Sequence, residues 1–141
     1  MAKVIKLKND TYLYGTIIEE GSNENGEYIK YSNGTLIQWG TIAKEGYLQP
    51  SNLYNTVQGI KWYRSEVVAV NFPKPFISSK YSLQLEVKNG ASGARVLIPR
   101  IGTKSTSLFN NQLIGLEEFT SNGTSYTNLD SVNWLAIGKW K

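Results

Sequence analysis

The last ten residues, Val132-Asn133-Trp134-Leu135-Ala136-Ile137-Gly138-Lys139-Trp140-Lys141, constrain the fold more than any other stretch. They read as a strand, not as a polar tail. Side chains alternate across a strand, so Val132, Trp134 and Ala136 share one face while Leu135 and Ile137 share the other. Neither face suits water. A strand apolar on both sides needs two covers, whereas a chain of 141 residues has the size of one domain and ordinarily builds one core. The protomer's interior is the first cover, around Trp134. The second is expected from another subunit, with Leu135 and Ile137 at the contact.

Composition sets the class. Charged residues make up only 18% of the chain while Tyr, Asn, Ser, Thr and Gly abound, which is the profile of an all-β surface-recognition protein. Cysteine is absent, so there is no disulfide framework and no thiolate nucleophile. The start, Met1-Ala2-Lys3-Val4-Ile5-Lys6, lacks the apolar core of a secretory signal, and no run approaches membrane-spanning length. Synthesis in the cytoplasm without membrane insertion is expected. The net charge of +4 is spread over basic residues from Lys3 to Lys141 and forms no patch, so nucleic acid is not an expected partner. Asn9-Asp10-Thr11, Asn33-Gly34-Thr35 and Asn122-Gly123-Thr124 match a glycosylation sequon but read as turns.

Short alternating runs bounded by Gly, Asn, Ser and Pro predict strands at 4–7, 11–18, 27–31, 35–42, 61–72, 82–87, 95–98, 113–120 and 132–140. The polar stretch Glu19-Glu20-Gly21-Ser22-Asn23-Glu24-Asn25-Gly26 places a boundary between an accessory β segment and linker at 1–25 and a main body at 26–141; it reads equally as a loop within one domain. Asn33-Gly34 predicts a type I′ hairpin over 27–42, with Ser32 opposite Thr35, Tyr31 opposite Leu36, Lys30 opposite Ile37 and Tyr28 opposite Trp39. In Ser82-Leu83-Gln84-Leu85-Glu86-Val87 the three apolar residues point inward, and Val68, Val70 and Phe72 form a second inward row stopped by Pro73 and Pro75. Two packed antiparallel sheets, a β-sandwich, are the expected outcome.

Catalysis finds few means. Without His or Cys, the nucleophilic triads, histidine bases and most zinc sites are excluded, and no metal or cofactor site is expected. Glu117 and Glu118 are strand neighbours on opposite faces and cannot flank one glycosidic bond; Glu19 and Glu20 read as solvated. Asn89-Gly90-Ala91-Ser92-Gly93-Ala94 lacks the Lys-Ser/Thr ending of a phosphate loop. Recognition is better supplied, because nine Tyr and four Trp offer rings that stack on sugars, and Asn, Ser and Thr match hydroxyl groups. Trp62-Tyr63-Arg64 fits base stacking, sugar binding or a subunit contact.

The run Gly26-Glu27-Tyr28-Ile29-Lys30-Tyr31-Ser32-Asn33-Gly34-Thr35-Leu36-Ile37-Gln38-Trp39-Gly40 resembles the hairpin near the carboxyl ends of phage and prophage tail fibre proteins. The ending from Val132 to Trp140 is similar to the closing strand that such fibres share with H-type lectin domains. Val70-Asn71-Phe72-Pro73-Lys74-Pro75-Phe76, followed by the strand at 83–87, is similar to that domain's early strands. The resemblance implies an H-type lectin-like antiparallel sandwich of about six strands, assembled as a homotrimer that recognises host cell-surface carbohydrate as the receptor-binding tip of a virion tail. It further implies contacts with other tail proteins and no chemistry. Arg95, in Gly93-Ala94-Arg95-Val96-Leu97, matches a sugar-contacting arginine of the family. Where the family's snail lectins carry Trp and His before the last strand, this chain has Ser121-Asn122-Gly123-Thr124-Ser125-Tyr126, so galactosamine specificity does not carry over. Arg95, Asn122, Ser125 and Tyr126 are the expected glycan contacts. Two other readings of the same pattern are a structural tail or baseplate module and, further off, a single-strand-binding barrel, which would show steeply salt-dependent affinity for oligonucleotides.

Overall fold

The period-two pattern becomes ten strands in a computed structural model, which describes residues 15–47, 52–89, 97–115 and 129–141. They are β1 (Ile17–Asn23), β2 (Gly26–Tyr31), β3 (Thr35–Ala43), β4 (Asn52–Val57), β5 (Ile60–Arg64), β6 (Val68–Asn71), β7 (Ser82–Asn89), β8 (Leu97–Lys104), β9 (Leu108–Gly115) and β10 (Leu129–Lys139). A 3-10 turn, Lys44–Tyr47, follows β3. One sheet has the order β1-β2-β3-β10-β7; in the other, β4-β5-β9-β6, strand β8 also pairs with β9. Every pairing is antiparallel. The all-β antiparallel sandwich expected from the pattern is what forms, with ten strands among the described residues where the pattern predicts nine along the chain. The strand predicted at 4–7 and most of that at 11–18 lie outside the described residues.

Alternation fixes the core. In β10, Val132, Trp134 and Ala136 are buried between the sheets, and Leu83, Leu85 and Val87 of β7 pack against them while Gln84 and Glu86 face out. Phe72 lies at the centre of an aromatic cluster, 5.0 Å from the rings of both Phe76 and Tyr81 and 5.6 Å from those of Phe109 and Trp134. Most of these contacts are edge-on or tilted, as ring quadrupoles prefer. Trp134 also presses on Gly40, where a Cβ would come 2.7 Å from its Nε1; only glycine lets the indole lie flat on β3.

The hairpin at Asn33-Gly34 forms, but not with the predicted turn. Gly34 donates its N–H to the Tyr31 carbonyl and has φ of 87°, while Asn33 keeps negative φ and its Oδ1 accepts from the Thr35 N–H. The loop therefore takes three residues instead of two, and the register slips by one: Lys30 faces Leu36, Ile29 faces Ile37, Tyr28 faces Gln38 and Glu27 faces Trp39. A slip of one exchanges faces, so Tyr28 and Gln38 turn inward and Trp39 outward. The expected Tyr28–Trp39 pair does not exist. The double positive φ of a type I′ turn occurs instead at Gln58-Gly59, joining β4 to β5.

Two further expectations change. Residues 19–23 are strand, not loop: β1 pairs with β2 from Ile17 to Asn23, and the boundary anticipated near Gly26 falls at the tight turn of this hairpin. The run expected as one strand over 61–72 is two, β5 and β6, lying end to end along one edge of β9. Ser65 makes the joint. Its N–H donates to the Leu113 carbonyl at 2.9 Å, and its Oγ accepts from the Leu113 N–H at 2.9 Å, so a side chain replaces one rung of the ladder.

Candidate functional site

The register just described brings Ile29, Ile37 and Ile137 into one row across the outer face of the first sheet, with Glu27, Trp39 and Leu135 in the next. Trp39 and Leu135 are half-buried and Ile137 is 41% exposed. Around them lie Glu20, Gln84 and Glu86, all exposed. An apolar centre with a polar rim is the anatomy of a contact surface. Leu135 and Ile137 thus lie on the face away from Trp134, as their alternation requires. Arg95, Asn122, Ser125 and Tyr126 all lie outside the described residues, as do Glu117 and Glu118.

The motif Gln38-Trp39-Gly40 gains a physical reading. Gln38 is fully buried, its Nε2 donating to the Lys74 carbonyl at 2.9 Å and its Oε1 accepting from the Lys74 N–H at 2.8 Å. The amide fastens a segment whose flanking prolines, Pro73 and Pro75, carry no N–H to pair. Gly40 receives Trp134, and Trp39 is left for the surface. At the opposite end of the hairpin, the Trp140 indole donates to the Tyr31 carbonyl at 3.0 Å and the Trp140 N–H to the Gly34 carbonyl, tying the end of β10 to the β2–β3 turn.

A third fastening is ionic. Glu19 accepts from Lys30 and Lys74, each at 2.9 Å, and from the Tyr28 hydroxyl at 2.8 Å. Hydrogen bonds from Lys30, then Lys74, then Tyr28 hold its carboxyl down to about 2, and the same pairing raises Lys74. This joins the β1–β2 hairpin to the Lys74 segment and explains why Glu19, expected to be solvated, has partners.

Beside the same hairpin is a cleft of about 560 Å³. Strand β2 pairs with β3 only as far as Glu27 and Trp39, whereas β10 accompanies β3 to Ala43, so the turn after Asn23 stops short and leaves a step at Gly40 and Thr41. Trp39, Thr41, Asn133, Asn25, Glu24 and Glu27 contribute to its walls. The Thr41 hydroxyl donates to Asn133 Oδ1 at 2.9 Å. Sequence reasoning missed this cleft because three separated segments build it, though the outward Trp39 of a correctly registered hairpin would have signalled one wall. No cluster of acidic residues able to hold a metal ion occurs among the described residues.

A family model described as the C-terminal domain of putative gp53-like tail fibre proteins matches residues 30–139. Among solved structures, an N-truncated R1-type pyocin tail fibre is similar at 14% identity, over 87% of this chain and 88% of that one, with a TM-score of 0.49. A search of functionally described proteins gives no match.

Proposed function

Because the chain belongs to the gp53-like tail fibre family through its C-terminal domain, we propose that it is the receptor-binding tip of a phage or prophage tail fibre, a homotrimer that recognises host cell-surface carbohydrate without chemistry. The observation that carries the trimer is the outer face of the first sheet, where Ile29, Ile37, Trp39, Leu135 and Ile137 adjoin across β2, β3 and β10. A side chain such as Ile137, 41% exposed in the protomer, gains about 1 kcal/mol when the remainder is covered, its share of the roughly 1.5–3 kcal/mol that burying a whole aliphatic side chain provides. Three sugar sites on one rigid tip multiply weak contacts into useful avidity. Arg95, Asn122, Ser125 and Tyr126 remain the proposed loop contacts.

One observation favours contacts with another tail protein as well. The β4–β5 hairpin, at one edge of the second sheet, exposes Tyr54, Val57 and Ile60, each at least 45% accessible. Sedimentation equilibrium tests the main reading. Wild type is expected at three times the chain mass, and the Leu135→Asp/Ile137→Asp double variant as a folded monomer with an unchanged far-ultraviolet spectrum. A wild-type protein that stays a folded monomer at micromolar concentration refutes the trimer.

A further inference from the structure

The cleft at the Gly40–Thr41 step has the composition of a sugar site. Its volume, about 560 Å³, lies within the range of small-ligand pockets and suits one or two pyranose rings. Trp39 supplies an indole, the kind of surface on which the C–H face of a sugar ring rests. With Asn133 Oδ1 occupied by the Thr41 hydroxyl, Asn133 offers its NH2 as a donor and Thr41 its oxygen as an acceptor. Asn25 adds an amide, and Glu24 and Glu27 add carboxylates that accept from hydroxyls. Among the described residues that line it, none is Lys or Arg. Two carboxylates in its walls disfavour uronic, sialic and phosphorylated sugars.

We infer that this cleft is a subsite for an uncharged pyranose of the host surface glycan, a deepening that rests on glycan recognition being the chain's function. Its place explains a second feature. Trp39 faces Leu135 across the β3–β10 ladder and also lines the cleft, so the cleft lies at the rim of the apolar face assigned to the sister subunit. Assembly and sugar binding then share one side chain, and each copy in the trimer carries a cleft at its subunit boundary.

The test uses the whole chain on an array of uncharged and acidic bacterial-surface oligosaccharides, with Asn133→Ala and Thr41→Val as variants that leave the apolar face intact. Wild type is expected to bind uncharged sugars. Asn133→Ala should weaken that binding tenfold or more, and Thr41→Val severalfold, while Glu24→Gln/Glu27→Gln should admit acidic sugars that wild type refuses. Circular dichroism and sedimentation confirm that each variant is folded and of wild-type size; if Asn133→Ala is not, Thr41→Val decides. Folded variants that keep wild-type binding overturn the subsite and leave glycan recognition standing. Binding of acidic sugars alone by wild type also overturns it. A wild-type protein that binds no sugar removes the glycan reading and the subsite together.

Discussion

Along the inner face of β9 two kinds of core meet within a few residues. Phe109 belongs to the aromatic end, its ring 5.8 Å from Trp134 and 5.6 Å from Phe72. Two positions on, Asn111 belongs to a polar end: its Oδ1 accepts from the Tyr47 hydroxyl, its Nδ2 donates to the Val68 carbonyl at 3.0 Å, and Gln112 and Ser65 continue the bonding nearby. Asn111 and Tyr47 are as buried as Phe109. The aromatic end coheres by area and shape, so it is sensitive to lost volume. The polar end coheres by partners, so it is sensitive to an orphaned group and comparatively indifferent to removal of a whole pair.

Removing volume is the harshest way to probe the first end. Trp134→Ala should destabilise by about 3–5 kcal/mol, a large share of the roughly 5–15 kcal/mol that a domain has to lose. Urea unfolding reads this as a fall in midpoint, and Trp134→Phe should fall less. A loss below about 1 kcal/mol would mean that the indole is not the keystone that its burial under Gly40 implies.

The polar end should break more gently and recover differently. Asn111→Ala leaves the Tyr47 hydroxyl and the Val68 carbonyl without their partner, at about 1–3 kcal/mol. Burial holds the Tyr47 phenol well above its ordinary range, so it remains a neutral donor at every physiological pH. Tyr47→Phe combined with Asn111→Leu removes donor and acceptor together and should lie closer to wild type than the two single losses added. Strict additivity in that cycle would show that the pair is not coupled, and the contrast with the aromatic end would disappear.

The aromatic end was legible and the polar end was not. Alternation at 82–87 and 132–136 named the inward rows, and Pro73 and Pro75 named the strand stop, because burial of one face imposes period two directly on the residue types. Asn111, Ser65 and Gln38 carry no such mark: a polar residue on a strand reads as surface until its partner is known, and those partners lie 36 to 64 residues away. Register failed at Asn33-Gly34 for a local reason, since the same two residues suit a two-residue and a three-residue loop, and the Asn33 side chain bonding to Thr35 selects the longer. Strand β4 escaped because its residues 54–57 are exposed on both faces and a bulge between Leu53 and Asn55 breaks their alternation. The outward placement of Leu135 and Ile137 was readable for the converse reason, as two apolar residues at the wrong parity. The cleft was unreadable, being a step between strands of unequal reach and not a property of any one segment.

The smallest effect concerns neither core but the ionic fastening of the β1–β2 hairpin beside the aromatic end. Glu19 has a carboxyl held at about 2, below its ordinary 4.5, so its contribution to stability is complete above about 4.5 and is lost as the pH falls toward 2. The side chain is 38% exposed, and solvent screening keeps this contribution well under the losses expected at either end of the core. Thermal melts of wild type and Glu19→Gln isolate it from the other carboxylates, which titrate in both proteins. The wild type should melt higher at pH 6, and the gap should close by pH 2 and narrow in high salt. A gap that persists unchanged at pH 2 would assign the role of Glu19 to packing, making the hairpin's attachment resemble the aromatic end after all.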